Sequence, residues 1–179
     1  ARVMNDVASG DLTGRITAEG RGELASLKAN DQTLSFRGSG STVWVGAIQN
    51  PGANVNTVTF DLDNAASFTM AGAQNTYTGD TNIAAGTLQI GFGGATGDIS
   101  GSNIIVGSGA SLAINRGGNY TFAAPVSGAG NVNKTGVGST TFTGTSSFTG
   151  AAILTDGRMI LGAASTDATG SLGANTGTL

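Results

Sequence analysis

Histidine and cysteine are both absent from this chain of 179 residues. Without cysteine, the chain can form neither a disulfide bond nor a thiolate metal site. Without histidine, it lacks the commonest general base and the commonest transition-metal ligand. We therefore expect a non-enzymatic protein with no bound cofactor or metal ion. Its stability should come from long ladders of backbone hydrogen bonds around a stacked core.

Charged residues are scarce as well, at 11% of the chain, against about 25% in an average soluble protein. The net charge is −3 and the eight basic residues are dispersed, which argues against nucleic acid because it requires a basic face. No apolar run is long enough for a transmembrane helix, so we expect no membrane insertion by this segment. The chain opens on Ala1 and stops at Leu179 within a repeating pattern. We therefore expect it to be a piece of a larger protein.

Short strand-like segments are what the sequence does contain. Three to six residues alternate between apolar and polar, and glycine, asparagine, aspartate or serine then follows, as in Thr87–Ile90. Alternation with a period of two is typical of strands with one buried face. Leu88 and Ile90 are predicted to face inward, and Gln89 between them to face outward. The single helix-like candidate is Gly22–Asn30, which is too short to stand alone.

An internal repeat indicates how these strands are arranged. Asn75–Gly91 is echoed by Ser146–Gly162, with threonine, glycine and apolar positions in common. A solenoid coil of about 20–25 residues makes the offset between the two copies about three coils and the whole chain about eight coils. The rod would be roughly 35–40 Å long. An antiparallel sandwich is the alternative, but no Asn-Gly hairpin signal occurs, and a sandwich does not explain the echo.

The first copy also resembles a known family. It reads Asn75-Thr76-Tyr77-Thr78-Gly79, then Thr81, Ile83 and Ala85-Gly86-Thr87-Leu88. This run is similar to the passenger-associated transport repeat, or autotransporter-associated β-strand repeat, of bacterial autotransporters. The resemblance covers residues 67–162, the transport-repeat region, whereas residues 1–66 share only its general texture. It implies an all-β fold, a single-stranded right-handed parallel β-helix, with residues 1–179 forming one β-solenoid segment of a larger passenger.

The resemblance also implies a function. Autotransporter passengers reach the cell surface, or are secreted, through the outer membrane by type V secretion. The segment would serve as a rigid β-helical stalk and as an autochaperone-like region that promotes folding and secretion. Its partners would be the rest of its own passenger and the translocating β-barrel. The alternative is a binding surface of a virulence-associated adhesin, which contacts a host surface or another copy of itself.

Three short patterns suggest site chemistry, and in each case the structural alternative is favoured. The Lys134-Thr135 pair nearly completes a phosphate-binding loop, but Asn133 stands where that loop requires glycine. Gly93–Asp98 resembles a single calcium-binding repeat, and such repeats bind calcium in stacked copies. Asp61 and Asp63 would share an outward strand face; paired carboxylates suit a glycosidase, but a solvated face is the simpler interpretation. We predict no catalytic, cofactor-binding or metal-binding residue.

Aromatic residues give the remaining candidates. Tyr77 and Phe148 hold equivalent positions in the two copies and are predicted to be core rings rather than exposed ligand-stacking rings. Trp44 lies between Val43 and Val45 and faces opposite to them. If the valines lie inside, Trp44 is exposed and is the best candidate for contact with a partner. A buried Trp44 with exposed valines is the equally weighted alternative.

Overall fold

A computed structural model of the protein describes residues 24–27, 33–48, 57–72, 75–99 and 103–162. In these residues the regular structure consists of strands, with no helix. In chain order they are β1 (Leu24–Leu27), β2 (Thr33–Gly38), β3 (Thr42–Trp44), β4 (Thr57–Leu62), β5 (Ser67–Met70), β6 (Thr81–Ala85), β7 (Thr87–Ile90), β8 (Ile104–Val106), β9 (Ser111–Ile114), β10 (Tyr120–Phe122), β11 (Val126–Gly128), β12 (Asn131–Lys134), β13 (Ser139–Phe142), β14 (Ala152–Leu154) and β15 (Arg158–Leu161).

The strands form three sheets. Sheet A has the order β1-β2-β4-β6-β8-β11, sheet B the order β3-β5-β7-β9-β12-β14, and sheet C the order β10-β13-β15. From β2 onward, all the paired strands are parallel. In sheet B, Thr87 lies beside Ser67, which precedes it in the chain, on one side and beside Ser111, which follows it, on the other. Neighbouring strands therefore come from successive coils.

This arrangement is a parallel β-solenoid, as predicted, and the described residues form about five turns of it. The predicted total of about eight coils includes residues that lie outside the described ranges. Each strand is short, but strands inside a sheet are hydrogen-bonded to the coil on either side, which is how the ladder satisfies the main chain without long strands.

Inward side chains of successive coils stack in columns. Leu88 lies between Phe68 of one neighbouring coil and Leu112 of the other. Leu88 and Ile90 are fully buried, whereas Gln89 between them is partly exposed, so the predicted inward and outward faces of β7 are confirmed. Full burial of one such aliphatic side chain contributes about 1.5–3 kcal/mol. The core is therefore a continuous column along the rod rather than one central cluster.

The echo between the two copies does not correspond to a whole number of coils. From Leu88, the register passes through Leu112 and Val132 and reaches Ala152 after three coils. The echo instead equates Leu88 with Met159, which lies beyond Ala152 by about a third of a coil. The first copy accordingly contributes β6 to sheet A, whereas the second contributes β14 to sheet B. The predicted offset of about three coils holds, but the two copies lie at different corners of the solenoid, where the same strand–turn–strand pattern is used.

The glycines shared by the two copies explain why the pattern suits more than one corner. Gly86 joins β6 to β7 with a φ of 75°, and Gly157 precedes β15 with a φ of 72°. Residues with a Cβ rarely adopt such a conformation. A Cβ at Gly86 would also lie 2.7 Å from the Cβ of Leu62. Both corners thus need a left-handed residue that also leaves room for the adjacent coil.

The helix-like candidate Gly22–Asn30 contains a strand instead. Within it, β1 pairs antiparallel with β2, with Ala25 opposite Phe36; the remaining residues of the candidate lie outside the described ranges. The helix-like pattern, which is too short to stand alone, therefore does not form a helix at β1. The unpaired edge of sheet A offers this short segment a complete set of backbone partners, and that outweighs a weak local helix propensity.

Candidate functional site

Trp44 ends β3, and its surroundings decide between the two alternatives for its orientation. Val43 and Val45 are 49% and 73% exposed, whereas Trp44 is half-buried. The valines therefore lie outside, and the indole packs towards the core. Contact of Trp44 with a partner stays a prediction, and in this arrangement the two valines lie beside it on the surface.

Four aromatic rings pack together around β3, and we call them the aromatic cluster. They are Phe36, Trp44, Phe60 and Phe68. The Phe36 and Phe60 rings are stacked, with centroids 5.2 Å apart, and the Phe68 ring is 5.0 Å from that of Phe60. The Trp44 ring is 6.3 Å from that of Phe68, and within the described residues its Nε1–H is buried without a hydrogen-bond partner. The cluster is a packed core, and Trp44 forms its outer rim.

Asp61 and Asp63 are both exposed, but they do not act as a pair. Asp61 lies opposite Arg37 on the neighbouring strand, and its Oδ2 is 3.3 Å from the Arg37 Nε. Asp63 lies beyond the end of β4, and its amide donates to the carbonyl of Gly38. The Asp61 carboxylate is thus engaged in a solvated ion pair, which is the structural alternative to a glycosidase pair.

The Gly93–Asp98 segment is joined to the following coil by side chains. Tyr120 Oη donates to Asp98 Oδ1 at 2.6 Å, and Arg116 Nη1 donates to the carbonyl of Gly97. The Arg116 guanidinium lies 4.3 Å from the centroid of the Tyr120 ring. Burial, followed by the hydrogen bond to Asp98, raises the pKa of Tyr120 far above its usual value. The Asp98 carboxylate thus connects two coils, and among the described residues no group of acidic side chains could hold a metal ion.

Lys134 does not lie in an exposed phosphate-binding loop. It is the last residue of β12, and its side chain is fully buried. Its Nζ donates to the carbonyl of Gly136 and, at 3.4 Å, to that of Asp156 in the next coil. Burial lowers the pKa of Lys134 from the ordinary lysine value, since the interior disfavours a charge. Lys134 therefore has a structural role rather than a phosphate-binding one, although it belongs to the core and not to a turn between coils.

Tyr77 and Phe148 are buried, as predicted, with 2% and 1% of their surface exposed. The Tyr77 hydroxyl is 2.6 Å from the Thr81 hydroxyl, which is also buried. Neither ring is available to stack on a ligand. Of the aromatic side chains that are described, Phe92 is the strongly exposed one, at 67%, and it lies in the turn after β7.

The comparisons with known proteins agree with the geometry. Residues 63–90 match the family described as Passenger-associated-transport-repeat. Over 122 residues, which are 66% of the chain, the sequence is 34% identical to "Adhesin BmaC autotransporter" of Brucella suis biovar 1 (strain 1330). Residues 63–90 thus carry a passenger-associated transport repeat. The chain spans about 3% of the length of that relative, and no solved structure matches it significantly.

The passenger repeat at residues 63–90 begins in the turn after β4 and contains β5, β6 and β7. Asn75, in its interior, is almost fully buried. Its Oδ1 accepts the amide of Ile48 at 2.6 Å, and its Nδ2 donates to the carbonyl of Asp98 at 2.8 Å. One side chain therefore connects residues 27 positions before it and 23 positions after it. The asparagine of the repeat binds the coils on both sides.

Sequence reasoning missed three of these contacts, namely the Asn75 bridge, the Arg116–Tyr120–Asp98 connection and the burial of Lys134. A signal for the last was present, because Lys134 follows the core residue Val132 by two positions and so shares its face. The other two join residues of different coils, for which the local pattern gives no sign. No membrane-spanning helix occurs in the part of the chain that the structure describes.

Proposed function

We propose that this passenger segment is a rigid β-helical stalk that also promotes the folding and export of the protein to which it belongs. The observation that carries the proposal is the parallel stacking of strands from β2 to β11 in sheet A, which is continuous apart from a register shift after Phe60. In such a ladder each coil presents a complete row of backbone donors and acceptors to the next one. A formed coil can therefore template its neighbour as the chain emerges.

The segment is proposed to be non-enzymatic. The Asp61 carboxylate is paired with Arg37, the Asp98 carboxylate accepts the Tyr120 hydroxyl, and the chain has no histidine or cysteine. Its partners would be the rest of its own passenger and the translocating β-barrel. Its place would be the cell surface or the medium, reached through the outer membrane.

The test is a set of deletions in the full protein whose lengths follow the register. Val132 occupies the position of Leu112 one coil later, so removal of residues 112–131 deletes one whole coil and leaves the strands aligned. Removal of residues 112–121 deletes half a coil, so the strands that follow no longer lie beside their register partners. Removal of residues 67–162 deletes the transport-repeat region. Surface delivery and protease resistance are measured for all three proteins.

We expect the one-coil deletion to preserve export and protease resistance and to give a slightly shorter stalk. The half-coil deletion should reduce both, because it breaks the column of inward side chains. Loss of residues 67–162 should reduce surface delivery most. If that last deletion leaves export and protease resistance unchanged, the proposed function is wrong.

A binding surface is the second candidate function, and one observation favours it. Val43 and Val45 are exposed beside the half-buried Trp44, and the relative that matches this chain is named an adhesin. A host surface or another copy of the segment would contact this patch. The isolated segment should then bind host cells or self-associate, and Val45→Ser should weaken that activity more than Gln89→Ser. An inert segment within an adherent full-length protein would place the binding site elsewhere.

A further inference from the structure

One inward column of sheet B contains a lysine where its neighbours are aliphatic. The register aligns Ile90, Ile114, Lys134 and Leu154 on successive coils. Ile90, Ile114 and Lys134 are all fully buried. Burying an ammonium costs several kcal/mol unless it is hydrogen-bonded, so the position needs an explanation other than core packing.

The turn beyond β12 and β14 supplies acceptors for this ammonium. The amides of Thr155 and Asp156 both donate to the carbonyl of Lys134, at 2.8 and 3.3 Å. The amide of Gly157 donates to the Asp156 carboxylate at 2.7 Å. These three backbone amides of the turn therefore already have acceptors. The Lys134 Nζ donates to the carbonyl of Gly136 in its own coil and to that of Asp156 in the next.

The charged groups around the ammonium do not offset its burial. Asp156, in the turn after β14, is the acidic neighbour and favours the charged form, but burial is the larger influence and lowers the pKa of Lys134. Arg116 lies in the turn below, against Gly136, and Arg158 is exposed on β15. Because the folded-state pKa is depressed, the folded protein gains stability as the pH rises towards the value of a free lysine. At neutral pH the charge is therefore a cost.

We propose that Lys134 fixes the register in which the coil of residues 152–162 closes onto the coil below it. A slip of two residues keeps the alternation of inward and outward side chains, so the apolar pattern alone does not prevent it. In a slipped register the carbonyl of Asp156 moves away from the ammonium, which is left buried with half of its partners. The charge thus selects one alignment, at some expense in stability.

Cysteine cross-linking tests this proposal, since the chain contains no cysteine of its own. Asn133 and Ile153 are register partners on the outward face. In the pair Asn133→Cys/Ile153→Cys, the Cα atoms would be about 4.8 Å apart, within the range that a disulfide bridges. In Asn133→Cys/Thr155→Cys they would be about 8 Å apart, beyond that range. The second pair should therefore cross-link only when the coil slips.

With Lys134 present, we expect the aligned pair to cross-link and the slipped pair to stay reduced. In a Lys134→Ile background, which continues the isoleucine column, cross-linking of the slipped pair should rise at least about tenfold. Lys134→Met, which keeps an unbranched stem and loses only the ammonium, gives the same measurement should Lys134→Ile not fold. If the slipped pair stays equally reduced with either residue, the proposal is overturned.

Amine acetylation of the cysteine-free protein gives a second, independent measurement. A held ammonium should make Lys134 at least about a hundredfold slower to react in the folded protein than in denaturant, measured by mass spectrometry of the peptide that contains it. Equal rates in the two states would also overturn the proposal, because the ammonium would then not be held by the turn.

Discussion

Residues 75–91 and 146–162 carry the same order of threonine, glycine and apolar positions, yet they are packed differently. Ile83 is fully buried, whereas its counterpart Leu154 is 54% exposed. The first copy lies between coils on both sides, since β6 pairs with β4 and β8. Within the described residues, β14 pairs only with β12. The sequence pattern thus determines which side chains face inward, and a neighbouring coil determines how deeply they are buried.

The copies also differ in how they bind other coils. Asn75 makes hydrogen bonds to the main chain of both adjacent coils. Ser146, which takes its place in the second copy, accepts one, from the amide of Val126 at 3.1 Å. A serine side chain is too short to reach across two coils. The departure from the repeat pattern at this position therefore coincides with a weaker connection.

The largest effect should come from a charge placed in the core of the first copy. Leu88→Asp buries an unpaired carboxylate and should cost several kcal/mol, a large part of the roughly 5–15 kcal/mol that stabilises a typical domain. Gln89→Asp, one residue along and partly exposed, should cost about 0.5 kcal/mol or less. Denaturant midpoints measure both. If Gln89→Asp were the more damaging, the inward and outward faces of β7 would be reversed.

The same substitution at Leu154 sharpens the comparison. Since Leu154 is 54% exposed among the described residues, Leu154→Asp should cost much less than Ile83→Asp at the matching position. Equal costs would mean that a further coil covers Leu154. The pair of variants therefore tests whether Leu154 is covered in the folded protein.

The next largest effect should come from the asparagine of the first copy. Asn75→Ala removes the hydrogen bonds to the amide of Ile48 and to the carbonyl of Asp98, and leaving the buried Ile48 amide unsatisfied costs about 1–3 kcal/mol. Ser146→Ala removes one bond and should cost about 1 kcal/mol. Hydrogen exchange at the Ile48 amide should accelerate in Asn75→Ala alone. Equal destabilisation by the two substitutions would contradict the assigned role of Asn75.

The sequence predicts the parts of this structure that depend on local alternation. Leu88, Ile90, Tyr77 and Phe148 are buried as the period-two pattern and the repeat indicate. The strand β1 was missed because its conformation depends on pairing with β2, which the local sequence does not encode. The sequence also gives no sign that the two copies lie at different corners, because one motif fits more than one corner and residue spacing alone does not distinguish them.

In the candidate site, too, the local pattern predicts some features, whereas others depend on contacts with other coils. Alternation establishes that Trp44 faces opposite to Val43 and Val45, but it gives no sign of which set lies inside. The answer depends on Phe68, which lies on the neighbouring strand of the next coil and packs against the indole. For Lys134, the inward direction can be predicted from the sequence, because Val132 two positions earlier faces inward. Its acceptor in the turn of the next coil, the carbonyl of Asp156, cannot be predicted in this way.

The smallest expected difference concerns the glycines at the corners, where the two copies should behave alike. Gly86→Ala and Gly157→Ala each force a Cβ into a left-handed conformation, which costs about 1–2 kcal/mol. Each Cβ would also crowd the coil below, at 2.7 Å from the Leu62 Cβ in one case and 2.3 Å from the Gly136 carbonyl oxygen in the other. Both variants should lower the denaturant midpoint by similar amounts.

Gly94→Ala is the matched control, because a Cβ there would meet nothing within 4 Å and Gly94 does not have a positive φ. It should change stability by about 0.5 kcal/mol or less. A harmless Gly157→Ala beside a damaging Gly86→Ala would mean that the corner before β15 relaxes freely. The two copies would then share a sequence pattern without sharing a turn, and the use of one motif at two corners of the solenoid would be wrong.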